Sequence, residues 1–139
     1  MRLENPGLIW LPMGEHAEFV IQATDYEGTP VVLTRSTWYA KAGEDRPGAH
    51  PEIRDYLEDI AAAIASPDLV FQSTRDERSR VFYRLRAGRD DFASKHLVII
   101  VKYVQEASDR RGYVSTMYLS RAVYTQGVLL WPRTGNVPR

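Results

Sequence analysis

Apolar and polar positions alternate through HAEFVIQAT (16–24), break at DYEG, and resume in TPVVLTRS (29–36). Alternation of period two is the mark of a half-buried strand, and Gly28 supplies a permissive backbone between the two runs, so a β-hairpin is predicted. TWYAKAGEDRPGA (37–49) starts with aromatics able to open a short helix. It then becomes a Gly-, Pro- and charge-rich loop. From Pro51 to Ala65 the spacing changes: Ile53, Tyr56, Leu57, Ile60, Ala61 and Ile64 recur at helical intervals, with Glu52, Arg54, Asp55, Glu58 and Asp59 opposite. This predicts an amphipathic helix lying on a flat apolar surface. Pro51 suits a first helical turn, Glu52 favours the positive end of the helix dipole, and Ser66-Pro67 ends the run.

Four strand-like runs follow: LVFQST (69–74), RVFYRLR (80–86), HLVIIVKYV (96–104) and YVSTMYL (113–119). Polar connectors of hairpin length separate them, which predicts an antiparallel meander. LVIIV is almost continuously apolar, so its strand is expected in the middle of the sheet and covered on both faces over part of its length. The end of the chain holds a short helix or turn near 120–126, an apolar VLLW patch, and a tail, 133–139, expected to fray.

The length of 139 residues suits one domain. The expected layout is a single domain over 1–139, with a core at 29–132 preceded by an N-terminal extension, 1–28, that carries a strand. No apolar run approaches a membrane-spanning length. The first residues lack the basic cluster and apolar core of a signal peptide, and the absence of cysteine excludes disulfides, thiolate zinc sites and a cysteine nucleophile. A cytoplasmic protein is the expectation. The formal net charge is zero, yet residues 1–68 carry 5 basic against 12 acidic side chains and residues 69–139 carry 13 basic against 6 acidic. Either the second half presents a phosphate-attracting face, or the two halves attract each other within the fold.

The ordered combination of TRSTW (34–38), HPEIRDYLEDI (50–60), SPDLVF (66–71), VFYR (81–84), LVIIVKY (97–103), GYVSTMY (112–118) and GVLLWP (127–132) resembles the barnase-EndoU-colicin-RelE-like nuclease group of phages and bacteria. The resemblance implies an α+β fold, BECR-like, with the helix packed on a four- to six-stranded antiparallel sheet. It also implies a ribonuclease, a hydrolase-like activity in which the ribose 2′-OH attacks the adjacent phosphate without a metal or other cofactor. Members of the group are often toxin-like, which brings an antitoxin or immunity protein into view as a partner besides RNA. The alternatives are a non-catalytic RNA- or protein-binding module of the same fold, and a homodimer in which the acidic helix of one copy meets the basic sheet of another.

Cleavage by a 2′-OH needs a base, an acid and cations at the phosphoryl oxygens. His50 is the candidate base or acid, since its ordinary pKa is about 6.5 and a helix N-terminus favours neutral imidazole. The competing reading is a solvent-facing residue that merely starts a helix. His96 reads as a strand-rim residue and His16 as a surface residue. Lys102 interrupts an otherwise apolar strand, so a phosphate, a carboxylate or a solvent-reaching strand end must compensate its charge. In RVFYRLR the alternation puts Arg80, Phe82, Arg84 and Arg86 on one face and Val81, Tyr83 and Leu85 on the other. The arginines are candidate substrate contacts, or else a solvated outer face. Tyr83 is a candidate substrate contact or phenolic acid, or else a structural core residue. In YVSTMYL the same alternation groups Tyr113, Ser115 and Met117 against Val114, Thr116 and Tyr118. The resemblance favours Thr116 as a donor that positions the phosphate or nucleophile. Trp38 and Trp131 read as core.

Overall fold

The computed structural model describes residues 8–10, 18–43 and 49–133. His16, the loop at 44–48 and the tail from 134 onward lie outside the described residues. The fold is α+β. Eight strands form one sheet: β1 (Leu8–Trp10), β2 (Phe19–Thr24), β3 (Pro30–Thr34), β4 (Leu69–Gln72), β5 (Ser79–Arg84), β6 (His96–Glu106), β7 (Asp109–Ser120) and β8 (Leu129–Trp131). Their spatial order is β1-β2-β3-β7-β6-β5-β4-β8, antiparallel throughout except for the parallel contact of β3 with β7. The sheet is therefore wider than the four to six strands expected. The N-terminal strands are built into it on one side, and VLLW adds β8 on the other by pairing with β4.

The hairpin and the meander form where the alternation predicts them. In the β2–β3 turn, Asp25 Oδ1 accepts from the backbone N–H groups of Glu27 and Thr29 (2.8 and 2.9 Å), and Gly28 takes φ +90°, a region costly for other residues. Thr34 caps α1 (Arg35–Trp38) by accepting from Thr37 N–H at 3.1 Å, and a π-helical turn at Tyr39–Gly43 follows. These turns bury Trp38 and Ala42 and pack beside β7.

The main helix departs from expectation at its start. Residues Pro51–Tyr56 form a 3₁₀ turn, and only α2 (Leu57–Ala65) is α-helical. Neither His50 nor Tyr56 supplies a side-chain cap, so the first turn tightens, and Arg54 ties it back to Ala42 and Gly43 carbonyls at 2.7 and 3.3 Å. Ile53, Tyr56, Ile60, Ala61 and Ile64 are buried against one face of the sheet, as the periodicity requires.

That helix-side face contributes Val31, Leu33, Val70, Phe82, Leu97, Ile99, Val101, Val114 and Met117 to the main core. Gly112 belongs there because a Cβ would come within 2.8 Å of Val101 and 3.0 Å of Tyr103 and Val31, where the parallel β3 meets β7. Phe71, Tyr83 and Val98 form a second, smaller core on the opposite face, with Leu69, Val81, Tyr118, Val123 and Leu129 around it. No helix forms near 120–126. The segment runs irregularly, and its Tyr124 N–H donates to the Tyr83 hydroxyl at 3.1 Å. Strand β6 is thus covered on both faces at Leu97–Ile99, while Ile100 beyond it is only half-buried.

Candidate functional site around His50 and the second sheet face

The strand register decides which candidates share a face. On β6, Val98, Ile100 and Lys102 alternate away from the helix. On β5 their partners are Tyr83, Val81 and Ser79. A bulge between Ile100 and Val101 changes the grouping expected for β7. Thr116 lies opposite Ile100 and Tyr118 opposite Val98, but past the bulge it is Tyr113 that lies opposite Lys102. Tyr113 therefore joins Thr116 and Tyr118 on the second face instead of opposing them. Val114 and Met117 share the helix side. The bulge-region Ser115 donates its hydroxyl to the Ile100 carbonyl at 3.1 Å.

His50 reaches this face from the loop before the 3₁₀ turn. Its backbone N–H donates to the Lys41 carbonyl at 2.6 Å, which pins the loop to the π-helical turn. The imidazole lies against the Tyr118 ring, with centroids 5.4 Å apart and planes tilted by 33°. Its Nδ1 is 3.4 Å from Glu52 Oε2, and the two side chains retain 36% and 24% exposure. Glu52 thus stands beside one ring nitrogen while Tyr118 covers the ring. Glu52 was readable in the sequence only as a helix-dipole residue. Tyr118 was assigned a face but no role. The single signal for either was sequence proximity to His50 or Thr116.

The Tyr118 phenol is held above the ordinary tyrosine range, mainly by burial and then by the neighbouring Tyr83 and Tyr124 hydroxyls, while the Arg75 guanidinium opposes the shift. Tyr118 therefore keeps its proton at neutral pH. Burial likewise raises Tyr83, against the opposing Tyr124 N–H bond. Tyr83 is fully buried at the bottom of this face, so it supports the second core.

Lys102 is not a buried ammonium. Its side chain is 41% exposed and its Nζ lies 3.8 Å from Asp76 Oδ2 in the β4–β5 turn. Asp76 also accepts from the Arg78 N–H (3.1 Å) and the Ser79 hydroxyl (2.9 Å). Those two hydrogen bonds hold its carboxyl below the usual range.

The arginines of β5 sit elsewhere. Their shared face is the helix-covered one, with Phe82 buried between them, and it is not an open basic surface. Arg84 donates to the Ser66 carbonyl at the end of α2 at 2.6 Å. Arg80, only 15% exposed, bonds Glu27 Oε1 and the Tyr26 hydroxyl, each at 2.7 Å. Arg86 has left the strand for a turn at φ +55°, where its N–H donates to His96 Nδ1 at 2.9 Å. Tyr118, Thr116 and Lys102 thus share one sheet face, with the His50 ring set against Tyr118, and Arg80 and Arg84 occupy the other face. No family model matches the chain, and neither the curated proteins nor the solved structures give a match.

Proposed function

We propose that the chain is a ribonuclease-like domain that cleaves RNA through the ribose 2′-OH, with the second sheet face as its working surface. The observation that carries this reading is the His50 imidazole held between Glu52 and Tyr118 on the face that also bears Thr116 and Lys102. His50 takes the 2′-OH proton, the 2′-oxygen bonds to phosphorus, and the bond to the 5′-oxygen breaks as that oxygen receives a proton from Tyr118. Glu52 stabilises the imidazolium formed, Thr116 donates to a phosphoryl oxygen, and Lys102 and Arg75 supply positive charge. Arg80, Arg84 and Tyr83 have structural bonds to keep and take no part in the step. No helix among the described residues is long and apolar enough to cross a membrane. The reading places the domain in the cytoplasm, toxin-like, with RNA as its partner.

The test incubates purified protein with mixed RNA in excess EDTA, beside a His50→Ala protein. Cleavage with 2′,3′-cyclic phosphate ends is expected, reduced on the order of 10²- to 10⁴-fold by the substitution. Equal RNA loss in the two preparations, or none in either, rejects the mechanism. A second reading, a non-catalytic binding module, draws on the position of two clefts away from His50. They lie at the β2–β3 turn and the β6–β7 hairpin. RNA retained on the protein without cleavage would select it.

A further inference from the structure

Two clefts adjoin at the end of the sheet, on and around the β6–β7 hairpin. One, of about 470 Å³, is lined by Arg78, Tyr103, Val104, Gln105 and Arg110. The other, of about 360 Å³, lies between the β2–β3 turn and the hairpin, and Arg110 lines it too.

The Tyr103 ring organises the first cleft. Tyr103 continues the helix-side alternation of Ile99 and Val101, so this cleft is across the sheet from His50. Its hydroxyl donates to the buried Asp25 carboxylate at 2.6 Å, fixing the ring. Burial and the Asp25 charge push that phenol far above the ordinary range, so it stays protonated. Two guanidiniums then lie over the ring, Arg80 at 5.1 Å and Arg110 at 4.3 Å from its centroid. Their situations differ. Arg80 is neutralised by Glu27 at 2.7 Å, whereas Arg110 has no carboxylate within salt-bridge distance among the described residues. A stacked, planar guanidinium with its edge donors unspent is already oriented for a phosphate, so little side-chain freedom remains to be lost. Arg78 lines the same cleft and holds its carboxylate, Asp76, only at 3.9 Å. Gln105 adds an amide with both a donor and an acceptor, suited to a base edge.

We infer that the Arg78–Arg110 cleft is a second contact for the backbone of single-stranded RNA. Two cations on one cleft, Arg110 and Arg78, with Arg111 of the adjoining cleft loosely paired to Glu106 at 4.0 Å, fit a ligand with repeated phosphates better than one small anion. The carboxylates of Glu106 and Asp109 line the outer cleft, so the phosphate contact centres on Arg110 and Arg78. This assignment rests on RNA being the ligand of the domain and is separable from the cleavage chemistry.

The experiment measures fluorescence anisotropy of a short labelled single-stranded RNA with His50→Ala protein, which removes the proposed base, over a series of salt concentrations. Adding Arg110→Ala is expected to weaken binding on the order of tenfold and to flatten the dependence of log K on log salt by about 0.7. Arg78→Ala acts in the same direction, and Arg110→Lys restores only part of the affinity because the stacked fork is lost. Lys95→Ala, a change at a cation held over Phe92, leaves affinity unchanged. Unaltered binding by Arg110→Ala, or an equal loss with Lys95→Ala, overturns the inference. Displacement of the RNA by polyglutamate as effectively as by unlabelled RNA overturns the assignment to nucleic acid. Cleavage failing while Arg110 still governs binding rejects the ribonuclease mechanism alone.

Discussion

Strand β5 shows both faces of the sheet within the five residues Arg80 to Arg84. Arg80 and Arg84 flank buried Phe82 toward the helix, and each guanidinium is spent on a structural partner, Glu27 with Tyr26 in one case and the Ser66 carbonyl in the other. Toward the other side, Val81 is half-exposed and its neighbours on β6 and β7 are Ile100, Thr116 and Lys102, with Lys102 reaching solvent beside Asp76. Both faces carry cations on an apolar surface. On the helix side the packing of α2 and the β2–β3 turn brings a carbonyl and a carboxylate to within 2.6–2.7 Å of those cations, whereas on the other face, among the described residues, Lys102 and Arg111 meet Asp76 and Glu106 only at 3.8 and 4.0 Å. The charge available for a ligand is therefore set by what covers a strand, more than by which residues the strand contains.

The comparison is most easily broken at Phe82. Phe82→Ala opens a cavity in the main core and is expected to cost about 3–5 kcal/mol of stability, whereas Val81→Ala, on the half-exposed side, costs about 1 kcal/mol or less. Urea unfolding of the two proteins checks this. Equal losses would mean that the faces are packed alike.

Tyr103→Phe probes the buried end of the helix-side network. It removes one of the donors to the Asp25 carboxylate, which stays buried and, among the described residues, keeps the Glu27 and Thr29 N–H bonds to its side chain. A loss of about 1–3 kcal/mol is expected, because an under-satisfied buried acceptor keeps its desolvation cost. A substitution at Tyr113, whose hydroxyl meets exposed Glu106 at 2.7 Å on the other face, should change stability by no more than about 0.5 kcal/mol. Thermal unfolding of Tyr103→Phe beside Tyr113→Phe orders the two.

The hairpin, the helix position and the four-strand meander were legible because each rests on local periodicity. The width of the sheet was not, since the parallel junction of β3 with β7 depends on Gly112 allowing close approach, and a glycine inside a strand announces no partner. Of the candidate site, the sequence offered His50, Thr116 and Lys102 as residue types; the register puts Thr116 and Lys102 on one face, whereas the position of His50 rests on its ring contact with Tyr118, which no local pattern announces. The bulge at Ile100/Val101 hid the placement of Tyr113, because one extra residue inverts the alternation and leaves no mark in the composition. The arginines of β5 misled for a different reason. Alternation groups side chains by face but says nothing of which face a distant helix will cover.

The smallest expected effect is at Asp76, and its pH dependence distinguishes a structural turn from a mere counter-ion to Lys102. The bonds from the Arg78 N–H and the Ser79 hydroxyl lower the folded-state pKa of Asp76, with Lys102 and Arg78 adding less. A depressed carboxyl pKa stabilises the fold at pH values above the unfolded-state pKa of about 3.9. That contribution declines as pH falls below the unfolded value, where the unfolded chain takes up the proton first, and is gone once pH has passed the folded value and the native carboxylate is protonated too. Urea midpoints of the native protein and Asp76→Ala should therefore differ most near neutral pH and converge below about pH 4. High salt should leave most of the neutral-pH gap in place, because hydrogen bonds to the turn outrank the ion pair at 3.8 Å. A gap that collapses in salt at neutral pH would instead assign Asp76 to Lys102, and the lysine of the second face would then be neutralised as fully as the arginines opposite.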